Sequence, residues 1–383
     1  MKSTNKIIIS VFSMDFFLNV ISWYIYLYLL YSVYLVSVNM IYFSLFYILR
    51  LIISTFISFI LSYVADVKGV DKVMKLTLLF YFIMTIILFY YSKLTLFLIY
   101  VYLIIFETLF TLYGILKYSL VPKISNDLEK INSTYELSYS ILMVVGPLLA
   151  LVLLRAKIIT LFIGLIPLFI FILFVNKFFT HTIESRNLSL ISAIGNIFKK
   201  DLIRIIVLYV SLTVVGLIVN LSIVNISEYL KTNVGFIANF SLINVIIGAG
   251  SLISSIIIMK NRYFNFSLIL LSWIILSFYP DIIFLLYYFN FYFILEYIFF
   301  IVSFFNGFSN SIISVFIAAK VQKISSEYTS ITFSILTFLS NILGVITLYI
   351  TGMLYILIYF ILVFSSIFLF ANVIIIIKLS TNN

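Results

Sequence analysis

Val121-Pro122-Lys123-Ile124-Ser125-Asn126-Asp127 and Val321-Gln322-Lys323-Ile324-Ser325-Ser326-Glu327 are one short polar stretch written twice, 200 residues apart. Each follows a long apolar run. Each is followed by another apolar run with a late glycine, Gly146 in the first and Gly344 in the second. Self-similarity at a long fixed period marks a duplicated structural unit. The same period sets residues 179 to 201, the longest polar stretch, between the two copies.

Working outward, the apolar runs decide what the unit is. Of the 383 residues 64% are hydrophobic and only 9% are charged, more apolar surface than a soluble fold can bury. A helix needs roughly 20 apolar residues to cross the hydrocarbon of a bilayer. Cutting wherever charges or turn residues interrupt gives twelve spans: 7 to 33, 39 to 63, 76 to 92, 95 to 116, 138 to 154, 158 to 176, 203 to 226, 234 to 259, 264 to 288, 292 to 318, 331 to 350 and 353 to 377. Pro280-Asp281 and Asn290 interrupt the ninth and tenth runs, so eleven or thirteen spans are alternative counts. The first run is too long for the core of a signal peptide and is read as a retained span.

The expected fold is all-α, a polytopic membrane protein of twelve transmembrane helices in two pseudo-symmetric six-helix bundles. The halves are residues 1-178 and 202-383, joined by a cytoplasmic linker at 179-201. With both termini cytoplasmic, eighteen of the 23 Lys and Arg fall in inner loops and flanks, Lys117 among them. Only Lys93, Arg155, Lys157 and Lys231 fall outside, and Arg50 is left within a span. Basic residues are retained on the cytoplasmic side during insertion, which favours this orientation in the cell membrane. The net charge of +10 is then topological and no nucleic-acid partner is implied. With no Cys and one His, His181, thiol chemistry and Cys- or His-cluster metal sites are excluded, and no cofactor is expected. No G-x-x-x-x-G-K-S/T stretch is present, so ATP is not the direct energy source.

Ionisable groups inside a membrane cost about 2.5 to 3.5 kcal/mol each on insertion scales and so mark function or pairing. Asp15, Arg50 and Glu107 are the candidates for proton or substrate coupling. Two readings of Asp15 and Arg50 stand, an ion pair tying spans 1 and 2 together or a coupling pair. Glu107 has no obvious local partner, and a lone carboxyl in low dielectric holds its proton, as a carrier must. Helical spacing sets Asp15, Asn19, Ser22 and Tyr26 on one stripe, and Glu107, Thr111, Gly114 and Tyr118 on another. Asn244, Gly248, Ser251 and Ser255 form a third, with Glu296, Ser303, Gly307 and Asn310 a fourth. Asn19, Thr111, Asn244, Glu296 and Asn310 are therefore candidate cavity-lining residues, although Gly and Ser stripes are also close-packing surfaces. Glu136 and Glu296 are read at the membrane boundary.

Two stretches carry a resemblance. Leu120-Val121-Pro122-Lys123, Asn132-Ser133 and Val145-Gly146-Pro147-Leu148-Leu149-Ala150 resemble the "L-I-P … L-x-x-A-N-x … G-P-x-x-G" pattern of the major facilitator superfamily, in its enterobactin-exporter-like and macrolide- or multidrug-efflux-like branch. They depart at Ile131 and Ala150, where that branch has Ala and Gly. Asp66 and Gly69, between spans 2 and 3, match the superfamily's "G-x-x-x-D-R-x-G-R-R" loop, while Ser62, Val67, Val70 and Asp71 do not. The resemblance implies a permease, with Asp66 and Gly69 in a conformational switch loop. A carboxylate at the inner end of span 2 would attract the positive amino end of a neighbouring helix and hold that side closed.

The expected function is secondary active transport of a small hydrophobic or amphipathic solute, proton-coupled export by alternating access, with protons, solute and membrane lipid as partners. Uptake of a sugar or organic acid is the alternative. A non-transporting scaffold is a third reading. A membrane-embedded enzyme would need carboxylates in sizeable outer loops, and the outer loops expected here are a few residues long.

Overall fold

The computed structural model describes residues 2–36, 40–90, 95–124, 127–153, 195, 200–230, 236–260, 266–289, 293–325, 329–353 and 358–380. Every extended segment among them is helical. In hydrocarbon no water is available to hydrogen-bond exposed peptide groups, and a helix satisfies its backbone within itself. The helices are α1 (Lys2–Val36), α2 (Met40–Lys68), α3 (Val70–Tyr90), α4 (Leu96–Ile124), α5 (Leu128–Leu153), α6 (Lys200–Tyr229), α7 (Phe236–Lys260), α8 (Phe266–Tyr288), α9 (Phe293–Ile324), α10 (Thr329–Met353), α11 (Ile358–Ala371) and α12 (Val373–Ser380).

α11 and α12 are one rod broken at Asn372, whose side-chain amide donates to Ser211 Oγ of α6 at 2.8 Å. The described residues therefore hold eleven helical rods, of which seven are long and apolar enough to cross a membrane. The expected span at 158 to 176 and the linker up to residue 199, with the exception of Gly195, lie outside the described residues.

Several boundaries correct the hydropathy cuts. α8 runs through Pro280 without interruption, so Pro280-Asp281 does not divide it. α4 continues through Pro122 to Ile124, two turns beyond the expected end at 116, and α5 starts at Leu128, ten residues before the expected 138. Charged residues in those turns had looked like loop. They belong to helix ends that continue as regular structure past the apolar run. The duplicated stretch falls at the same structural place twice, since α4 ends at Ile124 and α9 at Ile324. Between α2 and α3 the expected polar loop is a single residue. Gly69 takes φ 108°, a conformation open to glycine at little cost, and its N–H donates to Ala65 O at 2.9 Å to close α2.

Packing repeats with the sequence. α2 lies along α4 as α7 lies along α9, and α1 along α5 as α6 lies along α10. Two antiparallel seams join the halves, α5 with α7 and α2 with α10. At the crossing of α7 and α9 a Cβ on Gly250 would collide with Phe304 O, and one on Gly307 with Ile247 O. Only glycine permits backbones that close, the small-residue contact by which helices associate in lipid.

Candidate functional site

A cavity of three adjoining lobes lies between the halves. The first, about 180 Å³, is walled by α1, α3, α4, α5, α6 and α7, with Trp23, Tyr26, Tyr81, Phe106, Phe110 and Phe240 as its rings. The second, about 310 Å³, is lined by Glu107, Thr111, Gly114, Tyr118, Glu136, Tyr209, Ser314 and Phe333 among others. The third, about 240 Å³, takes in Asn220, Asn244, Asn306 and Asn310. Shared walls connect them: Glu107 and Phe110 border the first two, Glu136, Leu212 and Ser314 the second and third, and Tyr139, Met143, Asn220 and Asn244 the first and third.

The α4 stripe builds the middle lobe. Glu107, Thr111, Gly114 and Tyr118 all line it, because i, i+4, i+7 and i+11 return to one helix face. On α1 the stripe divides. Ser22 and Tyr26 reach the first lobe, and Ser22 Oγ shares a 2.7 Å hydrogen bond with Tyr81 Oη. Asn19 does not line the cavity. It is buried and donates from Nδ2 to Asp15 O at 2.7 Å, back onto its own helix. Asn244 borders the first and third lobes and Asn310 the third. Glu296 stands in the first turn of α9, 7% exposed, with Oε1 unbonded, and is not among the cavity's lining residues.

Asp15 is fully buried, and its partner is Lys117 of α4. Lys117 Nζ lies 2.8 Å from Asp15 Oδ1, and Tyr113 Oη donates to the same oxygen at 3.1 Å. Asp15 Oδ2 has no hydrogen bond. The Lys117 ammonium also stands 4.7 Å from the centroid of the Tyr135 ring and 5.4 Å from that of Tyr118, so ring faces complete its surroundings. This corrects one expectation: Lys117 leaves the set of inner-flank cations for the bundle interior. The charge asymmetry of the loops survives that loss. The side chain of Arg50, and with it the expected pairing of Asp15 with Arg50, lies outside the described residues. One signal for Lys117 was present in the sequence. It follows Tyr113 by four residues, one turn away on a helix whose stripe had already been drawn.

One end of the cavity is closed along the α2–α10 seam and, beside it, by contacts from α4 and α5 to α9 and α10. Asp66 Oδ2, at the end of α2, accepts from the N–H of Ile331 in the first turn of α10 at 3.2 Å, where the unsatisfied N–H groups and the helix dipole favour an anion. Toward the middle follow Ser62 with Ser334, the Phe338 ring against Phe56 and Phe59, and Asn341 Nδ2 donating to Thr55 Oγ1 at 2.6 Å. Beside them Asn132 Nδ2 donates to Gln322 Oε1 at 2.6 Å, and Gln322 Nε2 donates to Tyr118 O and to Asn132 Oδ1, both at 3.2 Å. Ser330 donates to Ser119 at 2.6 Å, and the Tyr118 and Phe333 rings stack over the floor of the middle lobe. Gln322 stood in the repeat and Asn132 in the stretch that carries the resemblance, and neither was read as a contact between the halves. Gln322 is the position at which the second copy of the repeat departs from Pro122.

Along the other seam Ser140 Oγ meets Ser251 Oγ at 2.7 Å, and within the carboxy-terminal half Ser255 Oγ of α7 meets Ser311 Oγ of α9 at 2.9 Å. A Cβ on Gly248 would sit 2.6 Å from Met143 Cβ. The α7 stripe thus serves both purposes weighed for it, with Asn244 and Ser251 on the cavity and Gly248 in close packing.

No protein-family model matches the chain, and no curated protein matches it. Among solved structures the chain is similar to the human organic anion transporter MFSD10 (TETRAN), with a TM-score of 0.70 and 13% sequence identity. The likeness covers 97% of this chain and 99% of that one. At that identity it establishes the fold. With seven helices among its described residues long and apolar enough to cross a membrane, and the fold of that transporter, the chain is an integral, multi-pass membrane protein.

Proposed function

We propose that the chain is a secondary transporter that moves a small amphipathic solute by alternating access, with export coupled to protons as the leading mode. The observation that carries this reading is the central cavity between two packed halves, closed at one end by a ladder of cross-half contacts from Asp66 to Asn341. Rocking residues 1-178 against 202-383 would break that ladder and open the same cavity to the opposite side. Each rung is one or two hydrogen bonds, and such bonds contribute about 0.5 to 1.5 kcal/mol apiece, a closure strong enough to hold and weak enough to release. Asp66 and Gly69 form the switch loop of this cycle.

Asp15 with Lys117, and Glu107 at the junction of two lobes, are the coupling groups. A movement that parts Lys117 from Asp15 would leave a buried charge without its partner, which ties the pair to the transport cycle. The loop charges support cytoplasmic termini, which puts the Asp66 end on the inside and leaves the cavity facing outward.

The chain has no cysteine, which makes the test direct. In proteoliposomes, Ser314→Cys on the cavity wall should be labelled by an impermeant thiol reagent from one face at rest and from the opposite face when a transported solute is present. The same preparation should show solute-dependent proton movement, lost in Asp15→Asn or Glu107→Gln. A folded Ser314→Cys protein whose introduced thiol keeps one accessibility across cations, macrolides, sugars and organic acids would overturn transport.

A further inference from the structure

Resting on the transporter reading, we infer that the third lobe is a specificity pocket inside the carboxy-terminal half, with Gly216 keeping its entrance open. It takes one uncharged arm of the solute, about the size of a substituted benzene ring and bearing a hydrogen-bonding group.

The lining residues show where the lobe goes. Glu136, Tyr139 and Met143 of α5 are the described contribution of the amino-terminal half. Every other described residue on its wall comes from α6, α7, α8, α9 or α11. α8 packs on α9 and α11, and α11 on α8 and α6, so both stand behind the helices that face the other half. A cavity that reaches Leu276 and Tyr279 of α8 and Leu369 of α11 has passed between α6 and α9 into the bundle. Gly216 of α6 lies on that passage. A Cβ there would meet nothing within 4 Å, so the space a side chain would fill is the pocket's own.

The back of the pocket is held in place. Tyr279 Oη and Ser303 Oγ share a hydrogen bond of 2.9 Å. Leu369 O accepts from the indole N–H of the fully buried Trp273 at 2.6 Å, close to the break at Asn372, which is itself fastened to Ser211. Walls tied in this way form the pocket before a ligand arrives, as is usual for small-molecule sites.

Chemistry of the wall selects the arm. Among the described residues the pocket's charge is at its mouth, where Glu136 stands on the wall shared with the second lobe. Deeper in, Val215, Val219, Ile223, Ile247, Leu276 and Leu369 are apolar. Asn306 and Asn310, one turn apart on α9, line this lobe and neither of the others. Asn310 is exposed although it stands in mid-helix, and the surface it shows is the cavity's. An apolar cavity of about 150 Å³ takes a benzene ring. With about 240 Å³ and two amides, this pocket suits a ring carrying a polar, uncharged substituent such as a carboxamide. A charged arm would lose its hydration against the apolar wall.

In a chain without cysteine, Gly216→Cys sets a single thiol in the passage, where open space receives it. Thr111→Cys, on the second lobe alone, is the reference. Both full-length variants, shown folded by thermal unfolding, are treated in nanodiscs with neutral benzyl methanethiosulfonate and with its sulfonatoethyl and trimethylammonioethyl counterparts. The ratio of neutral to charged modification rates should be at least about tenfold higher in Gly216→Cys than in Thr111→Cys. N-methylbenzamide should slow modification of Gly216→Cys and leave Thr111→Cys unchanged. Adding Asn310→Leu should weaken that protection about fivefold, the scale of one hydrogen bond. Equal rate ratios at the two sites would overturn the assignment. So would protection that is absent from Gly216→Cys, or protection that survives both Asn306→Leu and Asn310→Leu in full. Thiol accessibility in the Ser314→Cys variant judges transport separately. If solutes switch its labelled face and nothing protects Gly216→Cys, transport stands and the pocket falls. If N-methylbenzamide protects Gly216→Cys and no solute switches that face, the pocket stands and transport falls.

Discussion

The two halves present unlike faces to one cavity. From the amino-terminal half come Asp15, Lys117, Glu107 and Glu136, four charged side chains in or against the cavity wall. From the carboxy-terminal half come Asn220, Asn244, Asn306 and Asn310, all neutral amides, with Ser251 and Ser314. The helices beneath differ as well. α7 and α9 cross with backbone against backbone at Gly250 and Gly307, whereas a Cβ on Gly114 of α4 would meet nothing within 4 Å. A duplicated fold has thus been specialised by half. On the proposed reading, one half holds the charge that responds to protons and solute, and the other supplies a rigid, neutral wall.

Removing Lys117 should break this arrangement most severely. In Lys117→Ala, Asp15 is left in a fully buried site with Tyr113 as its one donor among the described residues, and an uncompensated buried charge costs about 3 to 5 kcal/mol. The thermal unfolding temperature in detergent should fall steeply. Removing both charges together, in Asp15→Asn with Lys117→Met, should recover most of that loss, because neutral groups of similar volume avoid the desolvation penalty of buried ions. Transport should stay absent in the double variant. A double variant as unstable as Lys117→Ala would mean that packing, not charge, sustains this half.

Glycine substitutions sharpen the other side of the comparison. Gly307→Ala drives a methyl group into Ile247 O and Gly250→Ala one into Phe304 O, so α7 and α9 must separate. Overpacking of this kind costs about 1 to 3 kcal/mol. Gly114→Ala, beside the middle lobe, should leave unfolding unchanged, since open space receives its methyl. Equal effects at Gly114 and Gly307 would contradict the assignment of rigidity to the second half.

How far the sequence could be read follows the same physical divide. Periodicity along a helix is local, so the α4 stripe of Glu107, Thr111, Gly114 and Tyr118 was legible and lies together on the middle lobe. The repeat was legible because duplication leaves letters, and its two copies end helices at Ile124 and Ile324. Pairing between helices is not local. The spacing of Tyr113 and Lys117 puts both on one face of α4 without saying that they meet Asp15, and hydropathy assigned Lys117 to a flank because it stands close to the end of an apolar run. Asn19 lay on the right stripe, yet its amide turns to its own backbone at Asp15, a choice that rotamer and neighbours make. Glu136 looked like a boundary residue because α5 was cut too short, and the helix that begins at Leu128 carries it up to the cavity.

The smallest effect, and the finest test of specialisation by half, lies at position 322. Pro122 and Gln322 occupy the same place in the two copies, but only glutamine can donate and accept, and it reaches Asn132 and the Tyr118 carbonyl across the seam. Gln322→Ala removes those bonds while leaving Asp66 on Ile331 and Ser119 with Ser330 in place. Losing one node of such a ladder should shift the balance between closed and open ends by about 1 kcal/mol. Overall unfolding should barely move. Thiol labelling of the Ser314→Cys background from the Asp66 side should quicken by about fivefold, which is about 1 kcal/mol expressed as a population. Asn132→Ala should do the same, and the two together should add little, because each already severs the same pair. If the effects instead added in full, Gln322 and Asn132 would act through separate partners and closure would not depend on their mutual bond.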